Sequence, residues 1–357
     1  MKRIVYLDNI KLSLMILVLA HHLAIAFGGV GSWFYKIPDP SHLTVTLLTI
    51  FIAINQSFFM GLFFFISGYF SSLSLDKKGG LFFMKGKLIR LGIPWLIYYF
   101  ILSPTFVLWP GYLSSTPTHL SFSQGPVWFV MALLIFDFSY LIYRQITMSK
   151  CSYQLKLPPC PKLFFLCVVM GFITYFVRLY FPLGTNWLGF QLGYCPMYIL
   201  LFLGGVIAER NNWLHDINLN YARPWMYMML VNILFIIGFL IYLLNNDLLS
   251  DALGGQNSLA LMLAIWECFS CVSIIVTVLA VFHTYANRSH RITQHLASSS
   301  YTVYIFQGFF IIPVTYYASV FNITGLTGWL LACSISIPLA FFVANYIRKL
   351  PYVDRVL

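Results

Sequence analysis

The feature that most constrains this chain is a run of apolar stretches, each about 20 residues long, that recurs from one end to the other. A helix needs about 20 mostly apolar residues to cross the ~30 Å hydrocarbon layer of a bilayer. Ten segments meet that length, at roughly 10–28, 45–73, 91–109, 126–144, 163–182, 193–209, 223–244, 258–282, 299–320 and 326–347. Lipid offers backbone N–H and C=O groups no partner, so each stretch is expected to be helical. The fold class read from this pattern is all-α: a polytopic integral membrane protein of about 10 transmembrane helices, a single domain over residues 1–357 with no appended soluble domain. Composition agrees, because only 9% of residues are charged against about 25% in soluble domains. A disordered chain, a nucleic-acid partner and a conventional cytosolic enzyme are thereby excluded. There is no internal repeat, heptad run or low-complexity stretch.

The net charge of +11 is an orientation signal. If the ten spans alternate, 19 of the 21 Lys+Arg fall on one side, and only Lys36 and Arg178 fall toward the other. Positive charge marks the cytoplasmic face, so both termini are expected there. Lys2, Arg3, Lys150 and Arg355 contribute to that count. Met1-Lys2-Arg3 before an apolar run has the look of a secretory leader, but Asp8 and Lys11 interrupt it and no small-residue cleavage site follows His21-His22. The stretch is read as the first span. Cys268-x-x-Cys271 lies inside an apolar helix without His or further Cys at ligand spacing, so the thiols are read as packing groups and no metal is expected.

Ionisable groups inside a bilayer are costly, which makes each a candidate for function. The first span holds Lys11 and His22, eleven positions apart. Eleven steps of ~100° come within ~20° of three full turns, so the two share a face, and the rise of about 16 Å puts His22 near mid-membrane. Asp8 stands one turn before Lys11. Histidine suits proton exchange near neutral pH; a lone membrane histidine also serves as a hydrogen-bonding group between helices, and the residues alone leave both readings open. His21 points away from that face and reads as structural. Lys87 and Arg90, spaced i, i+3, place two cations on one helical face, either as topological anchors or as a fork for a phosphorylated cytoplasmic ligand. Asp137, Arg178 and Glu267 are further intramembrane charges, and Glu267 is expected to pair with a basic residue of another helix. The connection around Trp109, Tyr112, His119, Gln124 and Trp128 is uncharged and rich in aromatic and hydrogen-bonding groups. It suits a sugar, and an interfacial aromatic belt explains it equally well.

Several motifs in this order resemble the membrane-bound acyltransferase family 3, whose members O-acylate glycans and related acceptors. They are Tyr6-Leu7-Asp8-Asn9-Ile10-Lys11 with His22, Phe64-Phe65-Ile66-Ser67-Gly68-Tyr69-Phe70, Lys87-x-x-Arg90-Leu91-x-Ile93-Pro94-Trp95, Gly125-Pro126-Val127-Trp128-Phe129, and Ser300-Tyr301-Thr302-Val303-Tyr304. The stand-alone members, similar to glucan-modifying succinyltransferases, are the nearest subgroup. The resemblance implies a multi-pass protein of a bacterial cytoplasmic membrane. It implies acyl transfer, acetyl by preference, from cytoplasmic acyl-CoA to a hydroxyl of a glycan, without a tightly bound cofactor. By that resemblance His22, with Lys11 and Asp8, carries the catalysis and Lys87 and Arg90 hold the donor's phosphates, while Trp128, Glu267 and Tyr304 meet the substrate. Two positions depart from the family pattern: Lys87 replaces an arginine, losing the bidentate fork, and Gln307 stands where a histidine commonly follows the second tyrosine. Glutamine hydrogen-bonds but does not titrate. The rival readings are a transporter or flippase without chemistry, since a polar stripe and buried acids also suit a substrate pathway, and a relative that has lost activity.

Overall fold

The computed structural model describes residues 4–115, 118–147, 155–288, 290–351 and 353–356, apart from the side chains of Asp354 and Arg355. Lys2, Arg3, Lys150 and the Arg355 side chain, all counted in the charge asymmetry, lie outside the described residues. The helices are α1 (Val5–Ala26), α2 (His42–Lys78), α3 (Gly80–Ser114), α4 (Gly125–Thr147, opening with a 3₁₀ turn), α5 (Cys160–Tyr180), α6 (Leu192–Arg210), α7 (Leu219–Asn245), α8 (Ser258–Tyr285), α9 (Arg291–Phe306), α10 (Gly308–Val320) and α11 (Gly325–Ile347). Among the described residues nine helices are long and apolar enough to cross a membrane, or ten if α9 and α10, bent by 66° at their junction, form one span. No strand occurs among them beyond the single bridge between Trp187 and Phe190. The chain is a polytopic all-α membrane protein. Its long helices leave large apolar side chains bare, such as Leu234 at 71% and Phe165 at 69% exposure, as lipid-facing surfaces do.

The helices depart from the sequence expectation at two places. The span expected at 299–320 breaks between Phe306 and Gly308. Helix α3 contains two π turns, Leu88–Gly92 and Tyr98–Leu102, the first just before Pro94 and the second just before Pro104. Proline lacks an N–H and crowds the carbonyl four residues back, and a wider π turn relieves both.

The helices divide into two contact units, each discontinuous in sequence. The first comprises the chain through Leu7, Gln56–Lys87 and Ala132–Arg288. At its centre α8 is buried around most of its circumference and packs against α5 and α7, as an apolar helix without a polar face must. In the same unit α2 and α6 approach backbone to backbone. A Cβ added to Gly68 would collide with the Phe202 carbonyl, and one added to Gly205 with the Phe65 carbonyl. Small residues make such crossings possible in lipid, so the Ser67-Gly68 motif is a helix-crossing point. The second unit comprises Asp8–Asn55, Leu88–Met131 and Ser289–Leu357. Within it α11 packs against α9 and α10, Trp329 Nε1 donates to the Ala20 carbonyl at 3.1 Å, and Gly308 leaves room for the Phe106 ring, which a Cβ would meet at 2.6 Å.

Candidate active site

In the second unit, His22 stands in the last turns of α1, with Gln307 and Trp33 in contact with its ring. His21, Leu23 and Ala24 are buried, whereas His22 as a residue is half-buried. Its Nδ1 lies 2.7 Å from Gln307 Oε1. Gln307 is 1% exposed, and its amide nitrogen donates to the Tyr304 carbonyl at 3.0 Å. Gln307 sits at the break between α9 and α10, where its own carbonyl accepts from the N–H groups of Phe310 and Ile311, both at 3.0 Å. Trp33, from the connection after α1, stacks on the imidazole with ring centroids 4.4 Å apart and planes at 19°. Its indole N–H is buried and meets no acceptor among the described residues, an omission that costs about 1–3 kcal/mol unless a ligand supplies the partner. The connection itself is tied down: Lys36 Nζ donates to the Gly29 and Gly31 carbonyls at 3.2 Å each, and Ile37 N to the Ala26 carbonyl at 2.8 Å. Partial loss of water lowers the Lys36 pKa from its ordinary value.

A second anchor lies nearby in the same unit. The Tyr304 hydroxyl donates to the Pro126 carbonyl, and its ring meets Phe129 edge-on. Two motifs that look independent in sequence, Gly125-Pro126-Val127-Trp128 and Ser300–Tyr304, are therefore one packed unit, with Trp128 half-buried on the turn. Gly125 has φ +46°, and a Cβ there would lie 2.8 Å from the Tyr98 hydroxyl, so both the backbone and the space call for glycine. At the other end of α1, Lys11 and Asp8 form a half-buried ion pair at 3.3 Å. The positions between them and His22 on that face, Met15 and Val18, are apolar and buried, so the polar stripe is two polar ends separated by packing.

A family model for an acyltransferase domain, acyltransferase family 3, matches residues 4–345. The chain belongs to acyltransferase family 3. No curated protein and no solved structure matches it. The family match takes in every motif residue named above, and membership makes this a membrane-spanning acyltransferase.

Glu267 and Lys87 belong to the first unit and have partners there, and Arg90 is exposed. Glu267, in the first unit, accepts from Arg178 Nη2 at 2.5 Å, the basic partner on another helix that its depth required. Arg178 also donates to the Gly193 carbonyl at 3.1 Å and lies over the Tyr194 ring at 5.3 Å. Lys87 pairs with Asp137 at 2.8 Å and donates to Ser71 Oγ at 2.8 Å, while Ser71 donates to Asp137 Oδ1 at 2.6 Å. The shared face expected of Lys87 and Arg90 assumed α geometry. The backbone from Leu88 to Gly92 is a π turn, whose wider winding removes that phase relation, and Arg90 is exposed. Trp33 had carried no signal in the sequence, being the first of three consecutive aromatics, Trp33-Phe34-Tyr35, in a glycine-rich connection. Gln307 was visible only as a polar residue within an apolar span, and nothing local named His22 as its partner.

Proposed function

We propose that this protein O-acylates a glycan or related hydroxyl-bearing acceptor, taking the acyl group, acetyl by preference, from cytoplasmic acyl-CoA with His22 as general base. The observation that carries this reading is the state of the His22 ring: one nitrogen is engaged by Gln307, the other makes no hydrogen bond among the described residues, and the residue is only partly buried. A nitrogen so placed can take the proton from an acceptor hydroxyl as its oxygen attacks the thioester carbonyl. The new C–O bond forms, the C–S bond breaks, and the imidazolium returns its proton to the departing CoA thiolate. No tightly bound cofactor or metal takes part. The unpartnered Trp33 indole N–H beside the imidazole is suited to the carbonyl oxygen, where negative charge gathers in the transition state. Arg90, exposed and cationic, meets the donor's phosphates, and Lys11 with Asp8 shapes the field along α1 toward the cytoplasmic mouth. Trp128, held on the turn that Tyr304 anchors, lines the acceptor side. The chain acts as one transmembrane acyltransferase domain in a bacterial cytoplasmic membrane, with both termini in the cytoplasm.

The test is incubation of membranes with [¹⁴C]acetyl-CoA and measurement of label in saponifiable ester on envelope glycan. His22→Ala and His22→Gln are expected to abolish the ester at unchanged protein level, and Arg90→Ala to raise the KM for acetyl-CoA. Ester formation retained in both His22 variants refutes the base assignment. Substrate movement across the membrane without consumption of acetyl-CoA would support a transporter instead.

A further inference from the structure

We infer that Gln307 is a positioning residue that locks the tautomer of His22, and that it does so without charge; the inference rests on the reading of His22 as the base. The sense of the glutamine amide follows from its two contacts, as such assignments must. The Tyr304 carbonyl can only accept, so the group 3.0 Å from it is the amide NH₂. The opposite end, the amide oxygen, therefore faces His22 Nδ1 at 2.7 Å. An amide oxygen only accepts, so Nδ1 carries the hydrogen, and because a neutral imidazole has one N–H, Nε2 presents its lone pair. Proton abstraction then has one defined atom. The lock is rigid: Gln307 is buried at the 66° break between α9 and α10, and Trp33 covers one face of the imidazole.

An uncharged acceptor has a chemical consequence. A carboxylate at this position would favour the imidazolium and make the proton harder to return to the leaving thiolate. Glutamine orients the ring while leaving its basicity to the surroundings. A titratable neighbour of the imidazole is His21, its ring 5.6 Å away on the same helix; Tyr304, whose carbonyl holds the Gln307 amide, stands on α9, and Lys36, on the following connection, is held by the Gly29 and Gly31 carbonyls. Asp8 and Lys11 stand three turns away along α1.

The experiment compares full-length wild-type protein with Gln307→Leu, Gln307→Glu and His22→Gln, reading label transfer from [¹⁴C]acetyl-CoA to envelope glycan across pH. Gln307→Leu should lower kcat on the order of 100-fold, with the KM for acetyl-CoA changed less than about twofold, the signature of a lost orientation of the base. Gln307→Glu keeps size and the accepting oxygen. It should retain activity at alkaline pH while moving the acid limb of the profile up by about one unit or more, because a neighbouring negative charge holds the proton on His22 to higher pH. An acid limb that stays in place in Gln307→Glu, or wild-type kcat in Gln307→Leu, overturns the assignment. If His22→Gln is inactive while both Gln307 variants behave as wild type, the lock alone falls. Activity in His22→Gln removes the base reading and the lock together.

Discussion

Lys87 offers a sharp test of whether a motif cation serves the ligand or the fold. Its ammonium lies 2.8 Å from the Asp137 carboxylate, and the Asp137 side chain is fully buried. At that 2.8 Å separation the gross Coulomb attraction is about 6 kcal/mol for an effective dielectric of about 20. Desolvation offsets much of it, but removing one partner leaves the other charge buried and uncompensated, which costs about 3–5 kcal/mol. Lys87→Met should therefore destabilise the protein by about that amount. The double variant Lys87→Met/Asp137→Asn should recover most of the loss, because the introduced amide is neutral and Ser71 remains to hydrogen-bond it. Reversible unfolding in mixed micelles titrated with SDS reads the stability, and the KM for acetyl-CoA is measured on the same preparations. A double variant as unstable as the single one would refute the buried-pair argument. A double variant that is stable yet binds donor poorly would show that Lys87 meets the donor directly.

Two further outcomes follow from packing. Gly68→Ala should abolish folded, monodisperse protein, because its Cβ falls on the Phe202 carbonyl, whereas Gly204→Ala, whose Cβ would meet the Phe65 ring at an ordinary 3.8 Å, should be tolerated; size-exclusion profiles of the two separate the cases. Glu267→Gln leaves Arg178, 1% exposed, without its counter-charge and should lower stability by about 3–5 kcal/mol. Adding Arg178→Gln should restore part of it, and equal melting midpoints for wild type and Glu267→Gln would show that the pair contributes nothing.

Much of the architecture was legible in the residues because its causes are local. An apolar run of membrane length has no alternative to a helix in lipid, so the expected spans appear as helices, their ends shifted where polar residues let a helix continue, as α2 does through Lys77 and Lys78. The facing of Lys11 and His22 is helical phase, which sequence spacing determines. The exceptions are equally physical. The arithmetic joining Lys87 to Arg90 assumed unbroken α geometry, whereas the backbone from Leu88 to Gly92 is a π turn ahead of Pro94, and the ninth expected span bends by 66° at Gln307.

The sequence by itself determined the membrane-spanning helical class, the scarcity of ionisable groups within the spans and the prominence of His22 among them. Tertiary structure alone decided what each of those groups touches. Gln307 meets His22 across 285 residues, Tyr304 meets Pro126 across 178, and Arg178 meets Glu267 across 89. Helical periodicity carries information over a few turns at most, whereas a buried polar group is satisfied by whichever complementary group the packing brings within about 3 Å. That is why His22 stood out as a candidate from α1 alone, while its contact with Gln307, at the bend between α9 and α10, is visible only in the folded chain.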